Sequence, residues 1–190
     1  MDNPFKLFEI WYENAQKASL EEPTAMNLAT AGKNGRPVSR IVLLKSYDEN
    51  GFVFFTNSTS RKGNNLEENP FAALNFFWPK LHQQIRIEGK VEKVQGKEAD
   101  DYYSSRALKS RIGAWASLQS QELPSRMELM KRVAEYGLKF GLNPPRPEHW
   151  HGYRIVPDYF EFWQEGEFRL HDRNVFELKN GNWENKKLYP

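Results

Sequence analysis

Between Ala25 and Asn57 the chain alternates short apolar runs with turn signals: AMNLATA, then KNGR, then VSRIVLLKSY, then DENG, then FVFFTN. Runs of this length, rich in β-branched and aromatic residues and bounded by Asn-Gly steps, form strands joined by tight turns, so two hairpins in series are expected. FAALNFFW and QQIRIEGKVEKV resume the pattern, the latter alternating Ile85 and Ile87 with polar neighbours. YRIVPDYFEFWQ and FRLHDRNVFELKNGNWENKKLY close the chain with a further Asn-Gly turn. About seven strands at hairpin spacing predict a small antiparallel β-barrel, a mainly β (α+β) fold with peripheral α-helices. The first helix is expected over NPFKLFEIWYENAQKAS, with Asn3 as N-cap, Pro4 at the first helical position, and Phe8, Trp11, Tyr12 and Ala15 on one face. RKGNNLEEN, KEADDYYSSRAL and SRMELMKRVAEYGLKF predict further helices, and GLNPPRPEHW a proline-rich loop.

At 190 residues a single domain spanning 1–190 is expected, large enough to bury a core without disulfide or metal staples. Lys+Arg 27 against Asp+Glu 25 leaves a net charge of only +2, so bulk electrostatics do not mark a nucleic-acid binder. Any anion site must therefore be built locally. The absence of cysteine removes thiol catalysis and cysteine-rich zinc sites. MDNPFKLFEIWYENAQ carries charges throughout and lacks the apolar stretch of a secretory signal, and runs such as IVLL and FVFF are strand-sized, far short of a membrane span. A soluble cytoplasmic protein is the expectation.

Three segments place cations where an anion would suit them. In FTNSTSRKG a strand hands over to a helix whose first turn holds Ser60, Arg61 and Lys62. Cations there oppose the helix dipole, and a phosphate bound by the free N–H groups would repair the conflict; solvated side chains at a fraying end are the alternative. In YYSSRALKS, Tyr102, Arg106 and Ser110 are spaced by four and form one stripe if the segment is a continuous helix. A forked guanidinium flanked by hydroxyls suits a phosphate, although Arg106 could instead pair with Asp101 or Glu98. In RLHDR, strand alternation would put Arg169, His171 and Arg173 on one face and Leu170 and Asp172 on the other. Arg40 and Lys45 differ in parity, so a regular strand would send them to opposite faces unless a bulge intervenes. Gln84, Gln119 and Ser120 are polar groups suited to the edge of a heterocycle, with ordinary surface polar residues as the alternative.

Dinucleotide and P-loop glycine patterns, H-E-x-x-H and the serine nucleophile elbow are all missing. His149 and His151 in EHWHG lie two apart without a matching third ligand, which favours a strand-edge pair over a metal site.

Taken in order, RIVLLK, FFTN, SRKG, YYSSR, IGAW, QSQ and the EFWQ…RLHDR ending resemble the pyridoxine (pyridoxamine) 5′-phosphate oxidase family, from about Pro23 to the terminal LYP. The resemblance implies an FMN-binding split barrel that works as a homodimer, with C-terminal dimerisation and active-site strands over about 150–190 and each flavin in the crevice between subunits. Arg40, Ile41, Val42, Leu43, Leu44, Lys45, Phe55, Thr56, Arg61, Lys62, Gln84, Gln119, Ser120, Trp163 and Arg173 match the family's FMN positions, with Arg61 and Lys62 on the flavin phosphate. Lys45, Tyr102, Arg106 and Ser110 match those that grip the substrate phosphate. Arg169 and His171, with Leu170 between them, match the substrate-binding segment against the pyridine ring, and those two are the catalytic candidates. RLHDR would then register the two rings against each other, with Asp172 pairing with a cation or capping backbone.

The resemblance further implies oxidation of pyridoxine or pyridoxamine 5′-phosphate to pyridoxal 5′-phosphate. A hydride passes from substrate C4′ to flavin N5, and dioxygen reoxidises the flavin and yields hydrogen peroxide. The protein's share is alignment and charge, with Arg169 stabilising charge that builds during transfer and His171 orienting the ring hydroxyl. Gln83, Ala107 and His151 stand where the family has Arg, Pro and Gly, and the short segment before the first helix leaves lid behaviour open. Two competing functions are a split-barrel oxidase of phenazine-type metabolites and a non-catalytic flavin carrier or nucleic-acid-binding barrel. A phosphate-free substrate leaves Tyr102, Arg106 and Ser110 without a purpose, and nucleic-acid binding lacks an interleaved basic and aromatic strand.

Overall fold

The computed structural model describes residues 3–18 and 21–190. Nine strands follow one another as β1 (Ala25–Ala31), β2 (Pro37–Leu43), β3 (Ser46–Asp48), β4 (Gly51–Asn57), β5 (Phe71–Trp78), β6 (Gln83–Val94), β7 (Trp150–Gln164), β8 (Asp172–Lys179) and β9 (Asn182–Leu188). The helices are α1 (Pro4–Lys17), α2 (Arg61–Glu68), α3 (Gly96–Ser105), α4 (Leu108–Ala116) and α5 (Arg126–Phe140). The sheet runs β2-β1-β5-β6-β7-β4-β3, all the ladders are antiparallel, and β8 and β9 extend from β7.

The two ends of that path, β2 and β3, are separated in sequence by only Leu44 and Lys45. Such a link reaches about 11 Å at most, so the sheet must curl until its edges meet. The result is a barrel that closes through Leu44–Lys45 without a β2–β3 ladder. Inward-facing residues follow the period of two: Met26, Leu28 and Thr30 on β1, Ala72, Leu74, Phe76 and Trp78 on β5, Ile85 and Ile87 on β6.

Helix α1 closes one end. The Asn3 side chain accepts from the N–H of Phe5 at 2.9 Å and of Lys6 at 3.3 Å, and Pro4 occupies the first turn as expected. Phe8 is fully buried, with its ring 4.7 Å from Phe52 and 5.4 Å from Phe76, a burial that contributes about 1.5–3 kcal/mol. Ser19, the last residue of the predicted helix, lies outside the described residues. Among the described residues no helix is long and apolar enough to cross a membrane.

Several expectations are corrected. Among the described residues the barrel and its extension use nine strands rather than about seven, because VSRIVLLKSY breaks after Leu43 into β2 and β3 and the closing run folds into two strands, β8 and β9, about its Asn-Gly turn. Strand parity therefore does not carry from Arg40 to Lys45. Tyr102, Arg106 and Ser110 do not lie on one helix: Arg106 and Ala107 are extended (ψ 149 and 141), which ends α3 and restarts the chain as α4. The Tyr103 hydroxyl ties the break together by donating to the Arg111 carbonyl at 2.8 Å.

RLHDR is strand only in its last two residues, Asp172 and Arg173, which begin β8. The last β7–β8 pair is Gln164 with Asp172, so residues 165–171 form the connecting loop. Phe168 and Arg169 both take left-handed φ, +54 and +63, and the loop is so tight that a Cβ on Gly166 would sit 2.1 Å from the Leu170 carbonyl oxygen. Strand pairing resumes only at Asp172. Asp172 itself pairs with Lys187 at 3.1 Å on the surface.

Candidate active site

A cleft of about 850 Å³ opens between β2, β4, the start of α2 and the α3–α4 break. Among the described residues that line it, Arg40, Lys45, Arg61, Lys62 and Arg106 are basic and none is acidic. Five cations facing one space repel one another, and that arrangement stores free energy which a bound anion releases.

Lys62 is the clearest case. Ser60 caps α2, its hydroxyl accepting from the Gly63 N–H, and Gly63 is required because a Cβ there would lie 2.1 Å from the Ser58 carbonyl oxygen. That close approach folds the FTNSTS segment against the helix and carries Lys62 inward, 8% exposed. Its ammonium donates to Gln119 Oε1 at 2.8 Å, Thr56 Oγ1 at 3.0 Å and Ser60 Oγ at 3.2 Å, all neutral oxygens. Burial, helped by the nearby Arg40 charge, pushes its pKa down to about 8. The solvated alternative thus fails for Lys62, whereas Arg61 at the same helix end is exposed. Arg40 is held by Leu28 O at 3.0 Å and Thr30 Oγ1 at 2.8 Å, and burial and Arg61 lower its pKa.

On the opposite wall, three rings lie nearly parallel. Phe55 stacks on Tyr102 at 4.2 Å and on Trp150 at 5.1 Å, and the Tyr102 and Trp150 planes differ by 9°. Arg106 lies over Trp150 rather than beside Asp101 or Glu98, and its Nη1 is buried without a hydrogen-bond partner among the described residues.

The structure brings Arg40, Ile41, Val42, Leu43, Lys45, Phe55, Thr56, Arg61, Lys62, Tyr102, Arg106, Ser110, Gln119 and Ser120 to this cleft. Leu44 points into the core, 4% exposed. Gln84, Trp163 and Arg173 instead form a straight row across β6, β7 and β8 on the outer face of the sheet. His171 packs on Trp163 at 4.6 Å, and Arg169 and Leu170 are exposed on the adjoining loop. On one chain the predicted residues therefore make two separate groups. Trp150 and Glu161 were not anticipated. Trp150 gives no sequence signal, standing at the end of a proline-rich loop, whereas Glu161 is legible as the one acid in the aromatic run YFEFW. It is 2% exposed and receives Arg86 Nη1 at 3.0 Å, Arg173 Nε at 2.8 Å and the Tyr159 hydroxyl at 3.1 Å.

Comparison with known proteins matches residues 12–140 to the family model described as pyridoxamine 5′-phosphate oxidase, and residues 150–190 to the pyridoxine 5′-phosphate oxidase C-terminal dimerisation region. A pyridoxine/pyridoxamine 5′-phosphate oxidase of Caulobacter vibrioides is 54% identical over 100% of this chain and 86% of that protein. One from Neisseria meningitidis is 50% identical over 100% of this chain and 90% of its own length. Among solved structures, PhzG from Burkholderia lata 383, in complex with tetrahydrophenazine-1-carboxylic acid, superposes with a TM-score of 0.95 at 36% identity, covering 100% of this chain and 94% of that one. An FMN-binding protein from Nostoc punctiforme shares the fold alone, at a TM-score of 0.77, 13% identity, 99% of this chain and 98% of that one. The split-barrel architecture and the two matched regions agree, and the chain belongs to the pyridoxamine 5′-phosphate oxidase family.

Proposed function

We propose that this protein is a pyridoxine/pyridoxamine 5′-phosphate oxidase, a flavoenzyme that works as a single-domain cytoplasmic homodimer with FMN as cofactor. The observation that carries the proposal is the cleft itself: among the described residues it has five basic side chains and no acid, with one lysine buried among neutral oxygens and one guanidinium nitrogen unpartnered. These are donors without an anion, and they fit phosphate esters.

Lys62, Arg61 and Arg40 would hold the flavin phosphate, with Thr56, Gln119 and Ser120 beside it. Tyr102, Arg106, Ser110 and Lys45 would hold the phosphate of the vitamer. When bound, FMN supplies the hydride acceptor and returns the electrons to dioxygen. The chain binds and aligns the two ligands, and Arg169 and His171 orient the substrate ring. Tyr102, Arg106 and Ser110 at the cleft support a phosphorylated substrate over a phenazine-type one. Phosphate dependence tests this directly: peroxide release is expected with pyridoxine 5′-phosphate and not with pyridoxine, and equal rates with both would overturn the assignment.

A two-chain site follows from the separation of the two groups. The outer row Gln84–Trp163–Arg173 and the 165–171 loop would complete the cleft of a second copy. Asn27 and Asn75, paired on the same outer face, support a covered face, because each has a buried side-chain oxygen without a partner among the described residues. Mixing Lys62→Met and Arg169→Ala subunits tests it. In a two-fold dimer, random exchange makes about half the dimers hybrid, each with one intact site, so activity is expected to return to about a quarter of the parent's. Two inactive parents that stay inactive after confirmed exchange would sink the shared site.

A further inference from the structure

Arg106 is charged, half-buried and, among the described residues, without an acidic partner. A guanidinium taken out of water ordinarily rests against a carboxylate, which cancels its charge and occupies its N–H donors. Here its carbon lies 4.7 Å from the centre of the Trp150 ring, with the Tyr103 ring at 5.9 Å, while Nη1 stays buried and unsatisfied among the described residues. Burial lowers the Arg106 pKa, which marks the cost of holding a guanidinium that stays charged out of water. An indole face offsets that cost differently from a carboxylate: its quadrupole stabilises the cation and leaves the N–H groups unspent.

The seat is rigid. Trp150 is 5% exposed, stacked at 13° to Phe55, with the Tyr103 ring edge-on at 5.2 Å. Its backbone is fixed at the start of β7, the N–H donating to Pro147 O at 3.0 Å and the carbonyl accepting from Arg146 Nη1 at 2.9 Å. Arg106 follows the α3 terminus in extended conformation and is not held by a helix of its own, so the indole decides where its guanidinium lies. A second, smaller lobe of about 230 Å³ has Arg106, Ser110 and Trp150 together in its wall.

We propose that Trp150 is a positioning residue for the phosphorylated substrate, an aromatic seat that holds the Arg106 guanidinium in place with its donors free for a phosphate ester. The inference rests on Arg106 being a ligand of the substrate phosphate. It predicts that substrate affinity follows the strength of the aromatic face, Trp above Tyr above Phe above Leu, although residue 150 itself need not touch the phosphate.

The test uses the FMN-loaded dimer and the variants Trp150→Tyr, Trp150→Phe, Trp150→Leu, Arg106→Ala and the Trp150→Leu/Arg106→Ala double. KM and kcat are measured with pyridoxine 5′-phosphate, inhibition is measured with inorganic phosphate, and flavin retention is read from absorbance. Trp150→Leu is expected to raise KM and the inhibition constant together, roughly 5- to 30-fold, with kcat within about twofold and flavin retained. Tyr and Phe are expected to fall between, and the double variant to be no worse than Arg106→Ala. KM within twofold across the series, or a fall in kcat at unchanged KM, overturns the role of Trp150. If Trp150→Leu does not fold, the graded Tyr and Phe values decide alone. Should Arg106→Ala leave KM and phosphate inhibition unchanged, the substrate-phosphate assignment fails first; if it raises both while the Trp150 series stays flat, only this inference fails.

Discussion

The Lys62→Met protein is expected to bind FMN at least about 100-fold more weakly than the parent while its ligand-free form is no less stable. The two halves of this result have one cause. Lys62 brings a full charge into a wall of neutral oxygens, and no carboxylate lines the cleft to cancel it. In the empty protein that charge is a burden, and Met removes it at little cost. The Thr56 hydroxyl still donates to Gln119 at 3.1 Å and the Ser60 hydroxyl to Asn57 O at 2.7 Å. In the complex the same charge meets a dianion and is stabilising. Flavin fluorescence titration and thermal unfolding of the apo-protein read the two halves separately; weaker binding accompanied by an equally large loss of apo stability would show a merely structural lysine.

A pH dependence follows with a definite sign. The folded ligand-free protein has Lys62 at about 8, below the ordinary lysine value of about 10.4, so the cation is what folding disfavours. The associated destabilisation is present in full below about 8 and is relieved as pH rises toward the unfolded value, where the unfolded chain binds more protons. Flavin binding moves the other way. A phosphate favours protonated Lys62, so above about pH 8 the free protein must take up a proton to bind, and affinity is expected to fall by up to about tenfold per pH unit.

Glu161→Ala is expected to cost about 3–5 kcal/mol of stability. Glu161 is 2% exposed and receives two guanidinium donors and a phenol, so its removal strands Arg86 and Arg173 on the outer face of the sheet together with Tyr159. Arg86 keeps Glu88 at 2.5 Å, and Arg173 keeps only the Tyr189 carbonyl at 3.0 Å, so the residual damage falls on Arg173. Burial works to raise the Glu161 pKa, yet the hydrogen bonds from Arg173 and Tyr159 and the charges of Arg173 and Arg86 outweigh it and hold the value below the usual carboxylate range. A carboxylate depressed in this way stabilises the fold above its unfolded pKa of about 4.3 and loses that contribution as pH falls through the lower folded value. Urea unfolding of parent and variant at pH 7 and pH 4 measures both effects, and a difference under about 1 kcal/mol at pH 7 would contradict the buried network.

Much of the site was legible because local chemistry announced it. Ser60 followed by Arg61 and Lys62 contradicts what a helix N-terminus prefers, and such a contradiction is a signal for a missing anion. The Asn3 cap with Pro4 and the alternation of β1, β5 and β6 were equally direct. The failures share a different origin. Tyr102, Arg106 and Ser110 were expected on one helix because their spacing is four; two extended residues at 106 and 107 break it, yet the same side chains still reach the cleft. RLHDR carries strand-like alternation, but its first three residues are consumed by the turn that Phe168 and Arg169 make in left-handed conformation, which no local propensity would assign to them.

Amino-acid order alone determined the antiparallel strands and the capped first helix and marked Lys62 and Arg106 as candidate anion ligands, since capping, alternation and charge placement act over a few residues. Only the tertiary structure decided that the sheet curls shut through Leu44–Lys45, that Lys62 is buried without a countercharge, and that Trp150 rather than an acid receives Arg106. It also decided that the Gln84–Trp163–Arg173 row lies apart from the cleft on the same chain. The physical reason is that burial and pairing between residues 44 to 79 positions apart, as in Arg106–Trp150 and Gln84–Trp163, depend on which strands become neighbours, and chain topology sets that rather than local sequence.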